Sequence, residues 1–241
     1  MDALIYTTMT GAGNALRALE VHANNLANAQ TSGFRADLAR AQTRPVAGFG
    51  YDSRHAADLP ETVVDHTPGR LAETGRVLDV AIEGAGYLAV ATDAGEAYLR
   101  AGSLTLDADG ALHVGGRAVL GEGGPLVLPE HEQLTIGADG TISVKTADTP
   151  EVQDVGRLKL VNPDPADLRK DASGLLISRS GAAYPADDAV TVKGGHLEGS
   201  NVSAIDEMMQ TMSLTRSFEM QMRLFKVADE MADAGNRLVR A

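Results

Sequence analysis

The chain is 241 residues long, carries a formal net charge of −12 and contains neither cysteine nor tryptophan. The absence of cysteine excludes a disulfide framework, a zinc–thiolate site and a thiol nucleophile. An acidic chain is also a poor ligand for nucleic acid or anionic membranes, because binding to phosphate needs clustered lysine and arginine. The chain start lacks the basic and apolar regions of a signal peptide, and no apolar run is long enough to span a membrane.

The first 33 residues are predicted to form a helix, because apolar side chains recur at alternating intervals of four and three residues. This spacing is the heptad pattern of a coiled-coil seam. The seam residues are Ile5, Met9, Ala12, Leu16, Leu19, Ala23 and Leu26. Three poor helix formers, Asn24, Asn25 and Asn28, lie at the end of this seam. We expect their amides to fix the register between neighbouring chains by hydrogen bonding.

The next two segments are predicted to be an extended linker and a β-domain. Residues 34–69 have little periodicity and several prolines and glycines, which indicates a linker or arm. Residues 70–197 contain short apolar alternations separated by turn signals, among them Asp109-Gly110 and Asp139-Gly140. We therefore expect a mainly antiparallel β-domain. Because aromatic residues are few, we expect a core of Val, Leu, Ile, Ala and Met.

Residues 198–241 are predicted to form a second, longer helix, with Ser200, Asn201 or Ser203 as its N-cap. Apolar residues again fall three and four apart in two runs, which are Ile205, Met208 and Met212, and Phe218, Met222 and Phe225. After one shift in phase the apolar face continues with Leu224, Ala228, Met231 and Leu238. A helix of this length with an apolar seam needs a partner. That partner is the first helix, in a parallel or antiparallel coiled coil, or helices of other chains, which is the interpretation we favour. The expected fold class is α+β, with terminal helices around a central β-domain.

No pattern in the sequence indicates a catalytic or metal site. The six histidines lack metal-ligand spacing, and the acidic turn at residues 107–110 lacks the glutamate that completes a calcium loop. The sequence has no phosphate-binding loop and no serine nucleophile elbow. We therefore expect a protein that is not an enzyme, with no cofactor and no metal. Two alternatives are a secreted acidic β-domain hydrolase, which would use carboxylates of the middle region, and a soluble coiled-coil adaptor.

Several stretches resemble the rod and hook group of flagellar axial proteins. Those similar to the N-terminal signature and the C-terminal helix of the group are residues 23–35, 197–202 and 216–219. Those similar to its β-domain are residues 78–87, 100–103 and 121–125. Within the group, residues 67–75 and 157–163 favour the proximal rod members, and the distal rod members are the alternative.

The resemblance implies a structural subunit of the proximal rod of the flagellar basal body, the drive shaft that transmits torque. It implies passage in an unfolded state through the flagellar type III export apparatus, without a cleaved signal peptide, and assembly in the periplasmic space. It also implies that the seam residues and asparagines named above form the subunit interface. That interface would join copies of the chain and neighbouring proximal and distal rod subunits, with the β-domain outside. Neither nucleic-acid binding nor membrane insertion is expected.

Overall fold

The computed structural model describes residues 2–45, 55–58, 62–147 and 151–240. The chain divides into two compact units. The first contains residues 1–29, 37–65 and 202–241, and the second contains residues 30–36 and 66–201. Both long helices belong to the first unit and most strands belong to the second, so the expected α+β class is confirmed.

The two helices differ in length. Helix α1 (Asp2–Ala27) has 26 residues and α2 (Ala204–Arg240) has 37, which corresponds to roughly 39 and 55 Å at 1.5 Å per residue. Helix α1 ends at Ala27, short of residue 33, in the run of asparagines that disfavour helix. Helix α2 begins after Ser203, whose hydroxyl accepts a hydrogen bond from the Asp206 N–H. Of the three predicted N-cap residues, Ser203 is therefore the one that caps the helix.

The segment 34–69, expected to be an extended linker, contains four short strands. They are β1 (Asp37–Ala39), β2 (Gln42–Pro45), β3 (His55–Asp58) and β4 (Thr62–Val64). Strand β1 pairs with β4 and β2 pairs with β3, both antiparallel. In β1 and β4 only Val64 is buried. Because neither strand has a buried face, neither carries the alternation of apolar and polar residues by which a strand is recognised in a sequence. Residues 46–54 and 59–61 of the segment lie outside the described residues.

The second unit is built from short strands and one 3₁₀ turn at Pro165–Asp167. Its strands are β5 (Leu71–Glu73), β6 (Val80–Glu83), β7 (Tyr87–Thr92), β8 (Gly95–Leu99), β9 (Leu104–Leu106), β10 (Leu112–Val114), β11 (Arg117–Ala118), β12 (Leu120–Gly121), β13 (Gly124–Pro125), β14 (Gln133–Ile136), β15 (Thr141–Lys145), β16 (Gln153–Arg157), β17 (Leu160–Val161), β18 (Leu168–Lys170), β19 (Leu176–Ser178), β20 (Thr191–Gly194) and β21 (His196–Glu198). The largest sheet has the order β17-β7-β8-β19-β18. Smaller sheets have the orders β11-β10-β9, β14-β15-β16, β12-β13, β20-β6 and β21-β5. Every described pairing between these strands is antiparallel.

Both predicted hairpins are confirmed. The turn at Asp109-Gly110 joins β9 to β10, and the turn at Asp139-Gly140 joins β14 to β15. Gly110 and Gly140 have φ angles of 79° and 85°, which lie in the left-handed region that glycine adopts without steric cost. The aspartate–glycine pairs therefore act through backbone geometry.

The core of the second unit consists mainly of Val, Leu, Ile and Ala, as represented by Val90, Leu104, Leu112 and Ile142. Methionine does not contribute to it. The described methionines are all exposed and lie on the two helices; they are Met9, Met208, Met209, Met212, Met220, Met222 and Met231. The expectation that methionine would fill the core is wrong.

Candidate assembly surfaces of the terminal helices

Three contacts fix the relative direction of the two helices. His22 Nδ1 bonds to Glu207 Oε2, and Asn25 Nδ2 donates to Glu207 Oε1 at 3.1 Å. Nearer the start of α1, a Cβ placed on Gly11 would lie 3.1 Å from Gln221 Oε1. Residues nearer the start of α1 thus contact residues nearer the end of α2, so the two helices pair antiparallel. The sequence alone left this direction open.

The facing side of α1 carries small and polar residues, whereas that of α2 combines polar and larger apolar residues. On α1, the contact residues Gly11 and His22 share a side with Ala12 and Ala15, which are both buried. On α2, the contact residues share a side with half-buried residues three and four positions apart: Thr211, Leu214 and Phe218. Small side chains allow two helix axes to approach closely. We call these sides the inner faces.

The predicted seam of α1 divides between two sides of the helix. Ala12 is buried, and Ile5, Leu19 and Leu26 are half-buried. Met9, Leu16 and Ala23 are exposed, together with Glu20 and Ala27 on the same side. These five exposed residues form a line at intervals of seven, four, three and four, which we call the outer stripe of α1. Only part of the predicted seam is therefore in contact within the subunit.

The predicted seam of α2 is almost entirely exposed. Phe218 is half-buried, whereas the other residues of the two predicted runs are exposed, as is the residue at 231: Ile205, Met208, Met212, Met222, Phe225 and Met231. Exposed apolar residues that the sequence interpretation missed lie among them, namely Met209, Met220 and Val227. Large exposed apolar surfaces are uncommon on monomeric proteins and mark interaction sites.

A single straight line of exposed residues runs along α2 on the side opposite its inner face. This outer stripe of α2 consists of Ile205, Met209, Met212, Arg216, Met220, Arg223, Val227, Met231, Ala234 and Leu238. Its intervals of four, three and four repeat every eleven residues. Such a repeat corresponds to about 3.67 residues per turn, close to the 3.6 of an α-helix. The stripe therefore stays on one side of α2 over its whole length, a signal present in the sequence.

The outer stripe of α2 contains a shallow groove. The groove is lined by Met209, Met212, Ser213, Arg216, Ser217 and Met220. Its walls are mainly the flexible side chains of methionine, which adapt to the shape of a partner. Arg216 is the single charged residue in this lining.

Asn25 has a different role from the one expected of it. Its side chain is 1% exposed. Its Nδ2 donates to the Asp37 carbonyl at 2.8 Å and its Oδ1 accepts from the Asp37 N–H at 2.8 Å, so the amide ties α1 to β1. A buried amide with these bonds inside the chain cannot reach a neighbour. Asn28 also bonds within the chain, to the Asn24 carbonyl at 3.0 Å, whereas the Asn24 side is exposed.

The second unit contains a buried charge cluster around Glu198, whose side chain is fully buried. Its Oε1 accepts from Arg35 Nη2 at 2.6 Å and from the Gly69 N–H at 2.7 Å, and its Oε2 accepts from Arg100 Nε at 2.6 Å. Arg100 Nη1 also donates to the carbonyls of two glycines. Buried charges of this kind are tolerated only when they are paired and hydrogen-bonded.

This cluster joins the stretches that carry the family resemblance. Arg35, Arg100 and Glu198 come from residues 23–35, 100–103 and 197–202 respectively. Two glycines of the same stretches allow close backbone approach: a Cβ on Gly33 would lie 2.2 Å from the Ala101 nitrogen, and a Cβ on Gly102 would lie 1.5 Å from the Val80 carbonyl oxygen. The sequence interpretation recognised these stretches without finding that they meet.

The described residues contain no group of three histidine or carboxylate side chains that could hold a metal ion. Neither helix, over its described residues, is both long and apolar enough to cross a membrane.

Burial raises the pKa of the Tyr98 phenol to about 12. Its hydroxyl donates to Glu96 Oε2 at 3.3 Å and accepts from the Tyr184 N–H at 3.1 Å. At neutral pH Tyr98 is thus an uncharged, hydrogen-bonded core residue.

Three family models match the chain. They are the flagella basal body rod protein model over residues 5–35, the flagellar hook protein FlgE/F/G D1 domain model over residues 81–144, and the flagellar basal body rod FlgEFG protein C-terminal model over residues 193–238. The first and third matches include most of α1 and of α2.

Individual proteins are similar over nearly the whole chain. The chain is 40% identical to the flagellar basal-body rod protein FlgF of Escherichia coli strain K12, over 99% of each chain. It is also 40% identical to FlgF of Salmonella typhimurium strain LT2, over 99% of each chain. It is 32% identical to the flagellar basal-body rod protein FlgG of Bacillus subtilis strain 168, over 94% of this chain and 95% of the relative.

Proposed function

Because the chain belongs to the flagellar basal-body rod protein family and is a structural subunit of that rod, we propose that it builds the proximal section by polymerising through its two terminal helices. In this role it transmits torque as part of a drive shaft. Its partners are copies of itself and the neighbouring proximal and distal rod subunits.

The observation that carries the proposal is the outer stripe of α2. It is exposed from Ile205 to Leu238, and it collects methionines that would otherwise be expected in a core. An exposed apolar stripe about 50 Å long is uncommon on a monomeric protein. Burying the stripe between subunits supplies the driving force for assembly. Contacts between different faces of identical subunits leave one face of each subunit open, and they extend into a filament or tube wherever the rotation between subunits does not close a ring.

The proximal section is favoured over the distal section by the relatives. The FlgF relatives of Escherichia coli and Salmonella typhimurium are 40% identical over almost the full chain, against 32% for the FlgG relative of Bacillus subtilis. A distal rod subunit is the second candidate, since the same fold and helices would serve it. A hydrolase is disfavoured because the relatives are structural rod proteins.

The route to the rod is also part of the proposal. The chain passes unfolded through the flagellar type III export apparatus and assembles in the periplasmic space. The match of residues 5–35 to the flagella basal body rod protein model supports this route.

The proposal is tested with Met212→Asp, introduced into a strain that lacks the wild-type gene. Met212 is exposed, so the variant subunit is expected to fold and to be exported normally. A carboxylate in a desolvated interface without a partner is costly, so we expect non-motile cells and rods truncated before the distal section. The measurements are swimming in soft agar and electron microscopy of purified basal bodies.

The matched control is Met212→Leu, which keeps the apolar surface and is expected to swim normally. Immunoblots of purified hook–basal bodies show whether the wild-type chain is a rod component. Normal motility and complete rods with Met212→Asp would contradict assembly through the helices. Rods that lack the protein yet keep their proximal section would instead support the distal candidate.

A further inference from the structure

We propose that the outer stripe of α1 in one subunit docks on the outer stripe of α2 in a second copy of the chain, with Glu20 beside Arg216. The inference rests on the proposed function and specifies which faces meet. The occupant of the groove on α2 is then α1 of the neighbouring copy.

The two stripes are complementary in shape. The outer stripe of α1 has small residues, Ala23 and Ala27, on one side of Glu20, and Leu16 with Met9 on the other. The lining of the groove on α2 contains Met209, Met212 and Met220 together with Arg216 and two serines. Bulky, adaptable side chains on one helix can thus enter the spaces over small residues on the other.

The two stripes are also complementary in charge. The outer stripe of α1 carries one charged residue, the acidic Glu20, whereas the outer stripe of α2 carries the basic residues Arg216 and Arg223. Within the described part of the chain, none of the three takes part in an ion pair. Each is therefore able to pair with a residue of a neighbouring subunit.

Charge disfavours the two symmetric alternatives. If α2 packed against α2 of a second copy about the groove, Arg216 would approach the same residue of its partner. If α1 packed against α1, Glu20 would meet Glu20. Like charges across a contact cost free energy and suppress the wrong pairing. A pairing of different faces also leaves one stripe of each subunit open for the next copy, as an extending assembly requires.

The lengths of the stripes are compatible with this arrangement. The outer stripe of α1 runs from Met9 to Ala27, roughly 27 Å, and the outer stripe of α2 runs from Ile205 to Leu238, roughly 50 Å. A neighbouring α1 centred at Arg216 is covered over its whole stripe, while the part of α2 beyond Val227 is left for a further contact.

Site-directed cross-linking tests the proposal directly, because the natural chain contains no cysteine. Glu20→Cys and Arg216→Cys are made in two differently tagged copies that are expressed together in cells. Basal bodies are purified and oxidised. We expect a disulfide-linked dimer that carries both tags, and no dimer when either variant is expressed alone.

Three outcomes overturn the proposal. The first is a dimer formed by one variant alone, which would indicate a symmetric contact. The second is a cross-link of the Arg216→Cys copy to a different rod protein in place of a second copy. The third is the absence of any mixed dimer from intact basal bodies.

Charge reversal gives an independent test. Glu20→Arg and Arg216→Glu should each lower the swimming rate and the yield of rods by about tenfold or more, because like charges then face each other in the contact. The double variant restores attraction and is expected to recover most of the loss. Both residues are exposed, so folding of the subunit is unaffected, which is checked by circular dichroism. A double variant as defective as the two single variants would contradict the pairing.

The proposed function and the pairing fail in different ways. If Met212→Asp swims normally, assembly through the helices is wrong. If Met212→Asp is non-motile but the charge-reversed double variant is not rescued, the helices assemble the rod through a different pairing of faces.

Discussion

Replacing Glu198 by glutamine should strongly destabilise the second unit. The substitution keeps the shape of the side chain and removes the charge that faces Arg35 and Arg100, both of which are nearly fully buried. One of the three donors that now point at the carboxylate would meet an amide NH₂ group instead of an acceptor. Breaking a buried ion pair by removing one partner costs about 3–5 kcal/mol, against a total stability of about 5–15 kcal/mol for a typical domain.

The assay is urea unfolding followed by near-ultraviolet circular dichroism of tyrosine, since the chain has no tryptophan and Tyr87 and Tyr98 are buried in this unit. With a denaturant slope of about 2 kcal/mol per molar, the midpoint should fall by roughly 2 M. The control is Glu122→Gln, because Glu122 is half exposed and pairs with Arg157 at 3.3 Å. Surface pairs contribute about 0–1 kcal/mol. Equal midpoints for the two variants would refute the argument that the buried charges hold this unit together.

Three further predictions concern backbone spacing and the helix pair. Gly102→Ala should prevent normal folding of the second unit, because its Cβ would lie 1.5 Å from a carbonyl oxygen; a native circular dichroism spectrum would contradict this. Gly13→Ala should raise the stability of α1 by up to about 1 kcal/mol in thermal unfolding, since nothing lies within 4 Å of the new Cβ. Gly11→Ala should raise it less, because its Cβ meets the opposite helix at 3.1 Å. Asn25→Ala should lower the free energy of unfolding by about 1–3 kcal/mol, because it removes the side-chain partner of backbone groups of β1. Asn24→Ala, at an exposed position, should lower it little. Equal unfolding temperatures for the two variants would argue against this role of Asn25.

The sequence predicts the helices well and their faces only in part. Spacing of apolar residues identifies α1 and α2, but each helix carries two sets of such residues on opposite sides. The inner face of α1 contains small residues such as Ala12 and Gly11, whereas the larger methionines of both helices are exposed. A prediction based on the most hydrophobic residues therefore selects the outer side of each helix as the contact surface. It cannot reveal that small residues make the closer contact within the subunit.

Long-range partners are the other limit of sequence reasoning. Asn25 was expected to contact a neighbouring chain, yet its side chain bonds to β1 and to Glu207 of α2 in the same chain. Glu198 was seen as part of a stretch that precedes a helix, and nothing local indicates Arg35 or Arg100 as its partners. The strands of residues 34–69 were missed because their exposed faces leave no alternating pattern.

The position of Glu198 in the chain has a consequence for the order of folding. Its partners Arg35 and Arg100 are 163 and 98 residues away, so the cluster closes only when the two ends of the second unit meet. Until then a collapsing chain would hold arginine side chains without a counter-charge, and burying them is unfavourable. Contacts of such long range also form slowly, because the chain entropy between them must be lost first. A chain of which either end is still held extended therefore lacks this cluster, and the second unit reaches its full stability only after both ends are released.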